Sequence, residues 1–427
     1  MSAVAPTAVN IGARRDDHTF AALERVGHVL ALTTLGLAPL FLVVSGDPST
    51  WKRGVILQLV DVVLVALLAI RLRTIVRRIG TEKAGVTTAL VVLFLALGVS
   101  AAIHPALTGV MTLARFGGAI ALIDVLVYGP VTLRSSAARL WLAWTVVEAV
   151  VATAQKSLGR AIGVPGEVGI PFETLGTFSV PTGTSYGPHP IAAMGLVAIA
   201  LGVFGVHHRL VSRRWGVIGA AAGAVIVGIT CGTAGALSLV AMLVAGGIAM
   251  VRGRRLKPSM IHDVGPVFGA VVIAFSLAAV TSIDGWRFKA DRTVTTDVAA
   301  ASNGRAGMID ESLEMIRRWP IFGVGPGRFL ATRDAHPDIA ARATEDQAVH
   351  NVALLIVTES GGFGAAALVL VGLAVTRRVR HRAFAITLLS AMLGHALFDH
   401  APWTFGFGMV QLALVTGFAT AVDANDS

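Results

Sequence analysis

Apolar runs of 16 to 24 residues recur along nearly the whole of this 427-residue chain, and their length is what most limits its fold. At 1.5 Å of rise per residue, a helix of that length matches a hydrocarbon layer of about 30 Å. Segments such as Leu90 to Ser100 are continuously apolar, so the alternation of a membrane barrel strand is missing. Helices are the expected spans because they satisfy their backbone polar groups internally. A charged share of only 14% and a mean hydropathy of +0.74 fit a polytopic membrane protein rather than a soluble domain. The single cysteine, Cys231, excludes an internal disulfide framework. Met1 to Asp17 is polar without an apolar core, so a cleaved secretory signal is not expected.

Twelve spans are predicted, near 27–45, 54–70, 84–103, 107–127, 138–155, 189–206, 216–231, 233–251, 263–281, 350–375, 383–399 and 402–421. The expected fold is an all-α polytopic membrane protein. Lysine and arginine bias then sets orientation. Of 35 basic residues, 21 fall on one side, including Arg71 to Lys83, Arg209 to Arg214, Arg252 to Lys257 and Arg377 to Arg382. That side is expected to be the cytoplasm, with both termini in it. The basic runs serve there as solvated anchors against anionic lipid. The net charge of +10 is therefore mostly a topological signature, and no basic-aromatic motif points to nucleic acid. The chain divides into a tail (1–26), nine spans (27–281), a long outer segment (282–349), three spans (350–421) and a second tail (422–427).

The outer segment carries nine Lys or Arg residues, which suits an anionic ligand. Within it, Asn303-Gly304-Arg305 precedes an amphipathic stretch, Ala306 to Arg318, that reads as a short interfacial helix exposing Met308, Leu313, Met315 and Ile316. Trp319-Pro320 ends that stretch. Gly323, Gly325, Pro326 and Gly327 then allow a tight path whose amides are either plain turns, the more frequent case, or a phosphate cradle. Arg318 and Arg328 flank this series as substrate-binding candidates. His350-Asn351 heads the tenth span.

Gly304-Arg305, the core from Ile316 to Phe329, His350-Asn351 and Glu359-Ser360-Gly361 together resemble the O-antigen ligase and polymerase superfamily of membrane glycosyltransferases. A weaker match is Leu175-Gly176-Thr177-Phe178, followed by Pro188-His189-Pro190. The resemblance spans motifs over roughly residues 170 to 400. It implies a GT-C-like fold of about twelve helices with the long outer loop between the ninth and tenth. It also implies a polyprenyl diphosphate-linked glycan as donor, a glycan, lipid or protein as acceptor, and a site on the outer face of the plasma membrane. His350 is then the base and Arg305 the diphosphate ligand. One position departs from the family. Many members carry a Ser-Arg pair at the turn into the eighth span, where this chain has Ala234.

Chemistry supports those roles. Departure of a diphosphate needs its charge neutralised, and an arginine fork binds phosphate bidentately while staying charged. The acceptor hydroxyl must lose a proton, which an imidazole with an ordinary pKa near 6.5 accepts at neutral pH. Direct displacement with inversion is expected, because no outward carboxylate pair announces a covalent intermediate. No cofactor and no metal are expected.

The remaining polar residues carry two readings each. Arg115, inside the fourth span, is either the substitute for the missing arginine or a partner of Glu148 or Asp124. Asn351 is a sugar contact or a helix cap. Tyr186 and His189 line the acceptor entrance, or Pro188 and Pro190 merely start a helix. Glu359, nine positions after His350, falls on the opposite face of a straight helix and reads as a buried partner. His395, Asp399 and His400 read as an interfacial hydrogen-bond network rather than a metal set. The contrasting function is a transporter or flippase of lipid-linked glycans. No matched pair of broken helices and no internal repeat supports it.

Overall fold

The computed structural model describes residues 11–40, 42–45, 56–81, 85–160, 162, 173–175, 178–185, 187–252, 258–295, 305–343, 347–379 and 382–421. These residues are mostly helical. In order, the main helices are α1 (Ile11–Leu37), α2 (Leu59–Arg78), α3 (Gly85–Ile103), α4 (Leu107–Tyr128), α5 (Val131–Leu158) and α6 (Pro188–His207). They continue with α7 (Arg213–Ile229), α8 (Thr233–Arg252), α9 (Pro258–Val280) and α10 (Ile283–Thr295). Besides α10, the segment 282–349 expected to lie outside contributes α11 (Arg305–Arg318), α12 (Phe329–Asp334) and α13 (Pro337–Ala340). The chain closes with α14 (Val352–Val379), α15 (Ala383–Phe398), α16 (Ala401–Thr404) and α17 (Gly406–Thr420).

A helix lies over each of the twelve apolar runs. Among the described residues, six are long and apolar enough to cross a membrane: α3, α4, α5, α6, α14 and the Ile261–Val280 part of α9. Shorter apolar stretches lie at Thr233–Ile248, in α15 and in α17.

Helix ends differ from the expected spans by several residues in places, and at three points the predicted helix gives way to another structure. The first apolar run ends as helix at Leu37, two residues before Pro39. The residue before a proline is disfavoured in the α region, so the helix stops there. Beyond it, β1 (Val43–Ser45) pairs antiparallel with β2 (Leu57–Gln58), where helix was expected on both sides. Short apolar runs do not separate helix from strand by periodicity. The last run is split at Phe405, whose φ of −115° and ψ of 147° are extended, and Gly406 beyond it packs so closely on α2 that a Cβ there would lie 2.5 Å from Asp61 Oδ1. A second small hairpin, β3 (Glu173–Leu175) with β4 (Phe178–Val180), occupies the segment before α6.

Helix α6 is the hub, buried along almost its whole length against α7, α15, α5 and α9. Its approach to α7 depends on glycine. A Cβ on Gly195 would meet Gly223 O at 2.6 Å, one on Gly223 would meet Gly195 O at 2.4 Å, and Gly202 faces Gly216 in the same way. Small residues let membrane helices approach until their backbones touch, which maximises dispersion where no hydrophobic drive separates helix from lipid. Gly118 of α4 similarly admits the backbone of Leu64 on α2.

Overpacking of this kind costs about 1–3 kcal/mol. Gly223→Ala should therefore lower the thermal midpoint of the detergent-solubilised protein, whereas Gly372→Ala, which meets nothing within 4 Å, should leave it unchanged or raise it. Equal midpoints for the two variants would contradict this packing account.

Candidate functional site

Helix α14 is broken at Gly361, whose φ of 63° and ψ of −154° leave the helical region. The break deprives nearby groups of their helical partners, and the glycine-rich segment supplies replacements. Val324 N donates to Thr358 O at 3.0 Å and Gly325 N to Glu359 O at 3.0 Å. In return Gly362 N donates to Pro320 O at 2.8 Å. Ser100 Oγ of α3 lies 2.6 Å from Phe322 O and 2.7 Å from Glu359 O, tying both chains to a third helix.

Glycine is required twice over here. Gly323, Gly325 and Gly327 all have positive φ, and a Cβ on Gly323 would fall 2.4 Å from the Glu359 carbonyl carbon. The phosphate-cradle alternative for this series does not fit, because its amides are already engaged. Gly323 N bonds Trp319 O, and Gly327 N bonds Glu359 Oε1 at 2.9 Å. Glu359 is buried at 3% exposure and also accepts from Trp403 Nε1 at 3.3 Å. It is a structural partner of the clamp, as its position on the helix led one to expect, although the helix is not straight.

The clamp sets the height of α14, and thereby of the residues before it. Asn351 caps α14: its Oδ1 accepts from Leu354 N at 2.9 Å, which favours the cap over the sugar contact. His350 stands just before it. Its Nε2 lies 2.8 Å from Gln347 Oε1, so the ring donates there and Nδ1 is left as the basic nitrogen. Nδ1 is buried and has no hydrogen-bond partner. Gln347 was not singled out in the sequence; its only signal is a position three residues before His350.

His350 sits 5.1 Å, ring to ring, from His400, which in turn bonds Thr404 Oγ1 at 2.9 Å. Asp399 contacts His189 Nδ1 at 3.6 Å and accepts from Ala401 N at 2.7 Å. His395 is fully buried beside Asp399, with neither ring nitrogen hydrogen-bonded. Among the described residues no group of three or more His, Cys, Asp or Glu side chains has metal-holding geometry. Arg305, the first residue of α11, completes the cluster through its field on both His350 and Asp399. It has no hydrogen-bonded or ion-paired side-chain partner among the described residues. Burial holds the Arg305 guanidinium below its usual pKa, and Asp399 opposes that effect.

Burial also lowers the His350 imidazole to about 3, with His400, Arg305 and His189 adding repulsion and Asp399 partly offsetting it. A ring so placed is neutral throughout the physiological range, well below the unperturbed imidazole value near 6.5.

Other expected site residues lie elsewhere. Arg115 is bidentate to Asp61, through Nε at 2.9 Å and Nη2 at 2.8 Å, and donates to Thr404 O and Ile56 O. Its partner is Asp61, not Glu148 or Asp124. Those two are engaged with Thr184 and with Arg71 and Arg78. Arg115 joins α4 to α2 and α16, and this replaces the expected role as a second diphosphate ligand. Arg318 pairs with Glu314 at 2.8 Å and with Asp338, and it holds both carboxyls below their usual pKa. It belongs to an ion network on the outer segment rather than to the His350 cluster. Arg328 precedes α12, half-buried, with its side chain against Gly325 and no ion pair among the described residues. Tyr186 and Gly304 lie outside the described residues. A small cavity of about 70 Å³ opens beneath the cluster, lined by Gly327, Gln347, Leu355, Glu359, His400 and Thr404 among others.

No protein-family model matches this sequence, and no curated protein matches it either.

The Asp61–Arg115 pair is almost wholly buried, with side-chain exposures of 2% and 11%. Removing one member of such a pair costs about 3–5 kcal/mol, because the other charge is left uncompensated. Asp61→Ala should accordingly destabilise the protein in denaturant titration far more than the double variant Asp61→Leu/Arg115→Met. A single variant as stable as the double would rule out a structural ion pair.

Proposed function

We propose that this chain is an integral membrane glycosyltransferase that moves a glycan from a polyprenyl diphosphate-linked donor to a hydroxyl acceptor. The acceptor is a second lipid-linked glycan, a lipid or a protein. The observation that carries this reading is the gathering of Arg305, His350 and His189, from three separate stretches of sequence, around Asp399 and His400 at one end of the bundle. The resemblance to the O-antigen ligase and polymerase superfamily assigned the base and the diphosphate ligand to two of these residues.

On this reading the twelve helices all cross the membrane, and the site faces outward from a plasma membrane with both termini in the cytoplasm. Supporting that sidedness, basic residues of the predicted cytoplasmic loops collect at the opposite end of the bundle. There Arg71 and Arg78 meet Asp124, and Arg378 and Arg382 bond the carbonyls of Thr420 and Ala421.

In the reaction the acceptor oxygen attacks the anomeric carbon as the bond to the diphosphate oxygen breaks. His350 Nδ1 takes the hydroxyl proton, while Gln347 holds Nε2–H and so fixes the tautomer. Polyprenyl diphosphate departs against Arg305, whose fork neutralises the growing charge. Burial is the largest cause of the low basicity of His350, followed by His400, with Arg305 a smaller one. A bound diphosphate brings its own negative charge beside the imidazole, offsets the repulsion from Arg305 and shifts the basicity of Nδ1 upward.

Two outcomes follow. His350→Ala should abolish transfer yet retain donor binding, while Arg305→Ala should weaken donor binding as well; both are read from donor turnover and donor affinity in nanodiscs. A fully active His350→Ala enzyme would remove the base assignment. Secondly, a base works deprotonated, so activity falls as pH drops through its pKa. The acid limb of kcat/KM, which reports the free enzyme, should therefore lie well below pH 6.5, near the value of about 3, and the limb of kcat should lie higher. Coincident limbs near the ordinary imidazole value would contradict the arrangement.

A further inference from the structure

Helix α11 has an outward face that solvent alone does not explain. Its inward face carries Met308, Glu311, Ser312, Glu314 and Met315, the glutamates being ion-paired to Arg333, Arg317, Arg318 and Arg342. Met308 and Met315, expected on the surface, thus turn toward the protein. They lie seven residues apart, on the same side of the helix as both acidic groups.

The outward face is divided. At about 100° per residue, Ile309, Leu313 and Ile316 fall on one half of it and Asp310 and Arg317 on the other. Ile309 and Leu313 are 42% and 52% exposed, and what makes them informative is that they belong to a larger apolar patch. The apolar half does not end with the helix. Ile321, three residues beyond α11, is 56% exposed. Next to it Phe322 stacks on Phe363 of α14, with centroids 5.4 Å apart and planes within 5°. From Phe363 the exposed surface runs on through Val369, Leu370 and Leu373 along a helix long and apolar enough to cross a membrane.

We propose that α11 lies in the lipid interface of the leaflet on the side of His350. Ile309, Leu313 and Ile321 enter the hydrocarbon boundary, while Asp310 and Arg317 face water. The occupant of this face is lipid rather than a protein partner because its apolar half leads through Ile321, Phe322 and Phe363 onto the exposed apolar flank of α14, a helix long and apolar enough to cross a membrane. A consequence is that Arg305, at the start of α11, is held at the depth of lipid phosphates, next to His350. The inference stands whatever reaction the site performs.

Single cysteines at Ile309, Asp310, Leu313 and Arg317 in a Cys231→Ser chain, labelled with a nitroxide, test this in vesicles of phosphatidylethanolamine and phosphatidylglycerol. Cys231 is the only native cysteine and is buried, so the wild-type chain serves as the check on folding. Collision with oxygen should exceed collision with a water-soluble nickel chelate several-fold at Ile309 and Leu313, and the ratio should invert at Asp310 and Arg317. The proposal is overturned if all four positions favour the nickel chelate. It is also overturned if Ile309 and Leu313 are shielded from both reagents, which would reveal a protein partner. Because the cysteines avoid Arg305 and His350, loss of the lipid signature is separable from failure of the transferase reading.

Discussion

An unpaired backbone group in hydrocarbon costs several kcal/mol, and the break in α14 shows how this chain meets that constraint. Opening a helix at Gly361 frees carbonyls at Thr358 and Glu359 and amides at Gly362 and beyond. The segment from Trp319 to Gly327 answers each with a group of its own. The result is not a loop resting on a bundle but a stretch of chain exchanged into a helix. The neighbouring elements are placed by that exchange: α11, which begins at Arg305, before it, α12 after it, and the height at which His350 and its cap Asn351 begin α14.

The buried ionic groups divide by task. Asp61 with Arg115, and Asp124 with Arg71 and Arg78, join helices at the two ends of the bundle and leave little hydrogen-bonding capacity for a ligand. Glu314 and Glu311 play the same part in the outer segment. Arg305 stands apart, half-buried and near Asp399 without a bond to it. A half-buried guanidinium near a carboxylate it does not bond keeps its planar fork of donors open, as the part proposed for it requires.

Much of this was legible in the chain. Hydropathy located a helix over each apolar run, because hydrocarbon admits little else. His350 and Arg305 stood out by their motifs, and the fold brings them within each other's field. Residue type left Asn351 open between a cap and a sugar contact, and the bond from Leu354 N decides for the cap. What was not legible depends on contacts between distant elements. The partner of Arg115 was sought at Asp124, nine residues along the same helix and so about 13 Å away along its axis. The true partner, Asp61, is 54 residues away on α2. The glycine series announced a tight path, but not that its amides would be consumed by a broken helix. Nor could any local pattern give the low pKa of His350, which follows from burial among His400, Arg305 and His189.

On the proposed reading, the glycan changes carrier rather than side of the membrane. The most direct test of that reading places the purified protein in sealed vesicles with a polyprenyl diphosphate-linked glycan, no added metal, and an acceptor on the side of His350. Free polyprenyl diphosphate and the sidedness of the remaining donor are then followed together. The account predicts release of polyprenyl diphosphate in step with an elongated or acceptor-linked glycan of inverted anomeric configuration. Donor that crosses the bilayer intact, with no diphosphate released, would contradict it and make the protein a transporter.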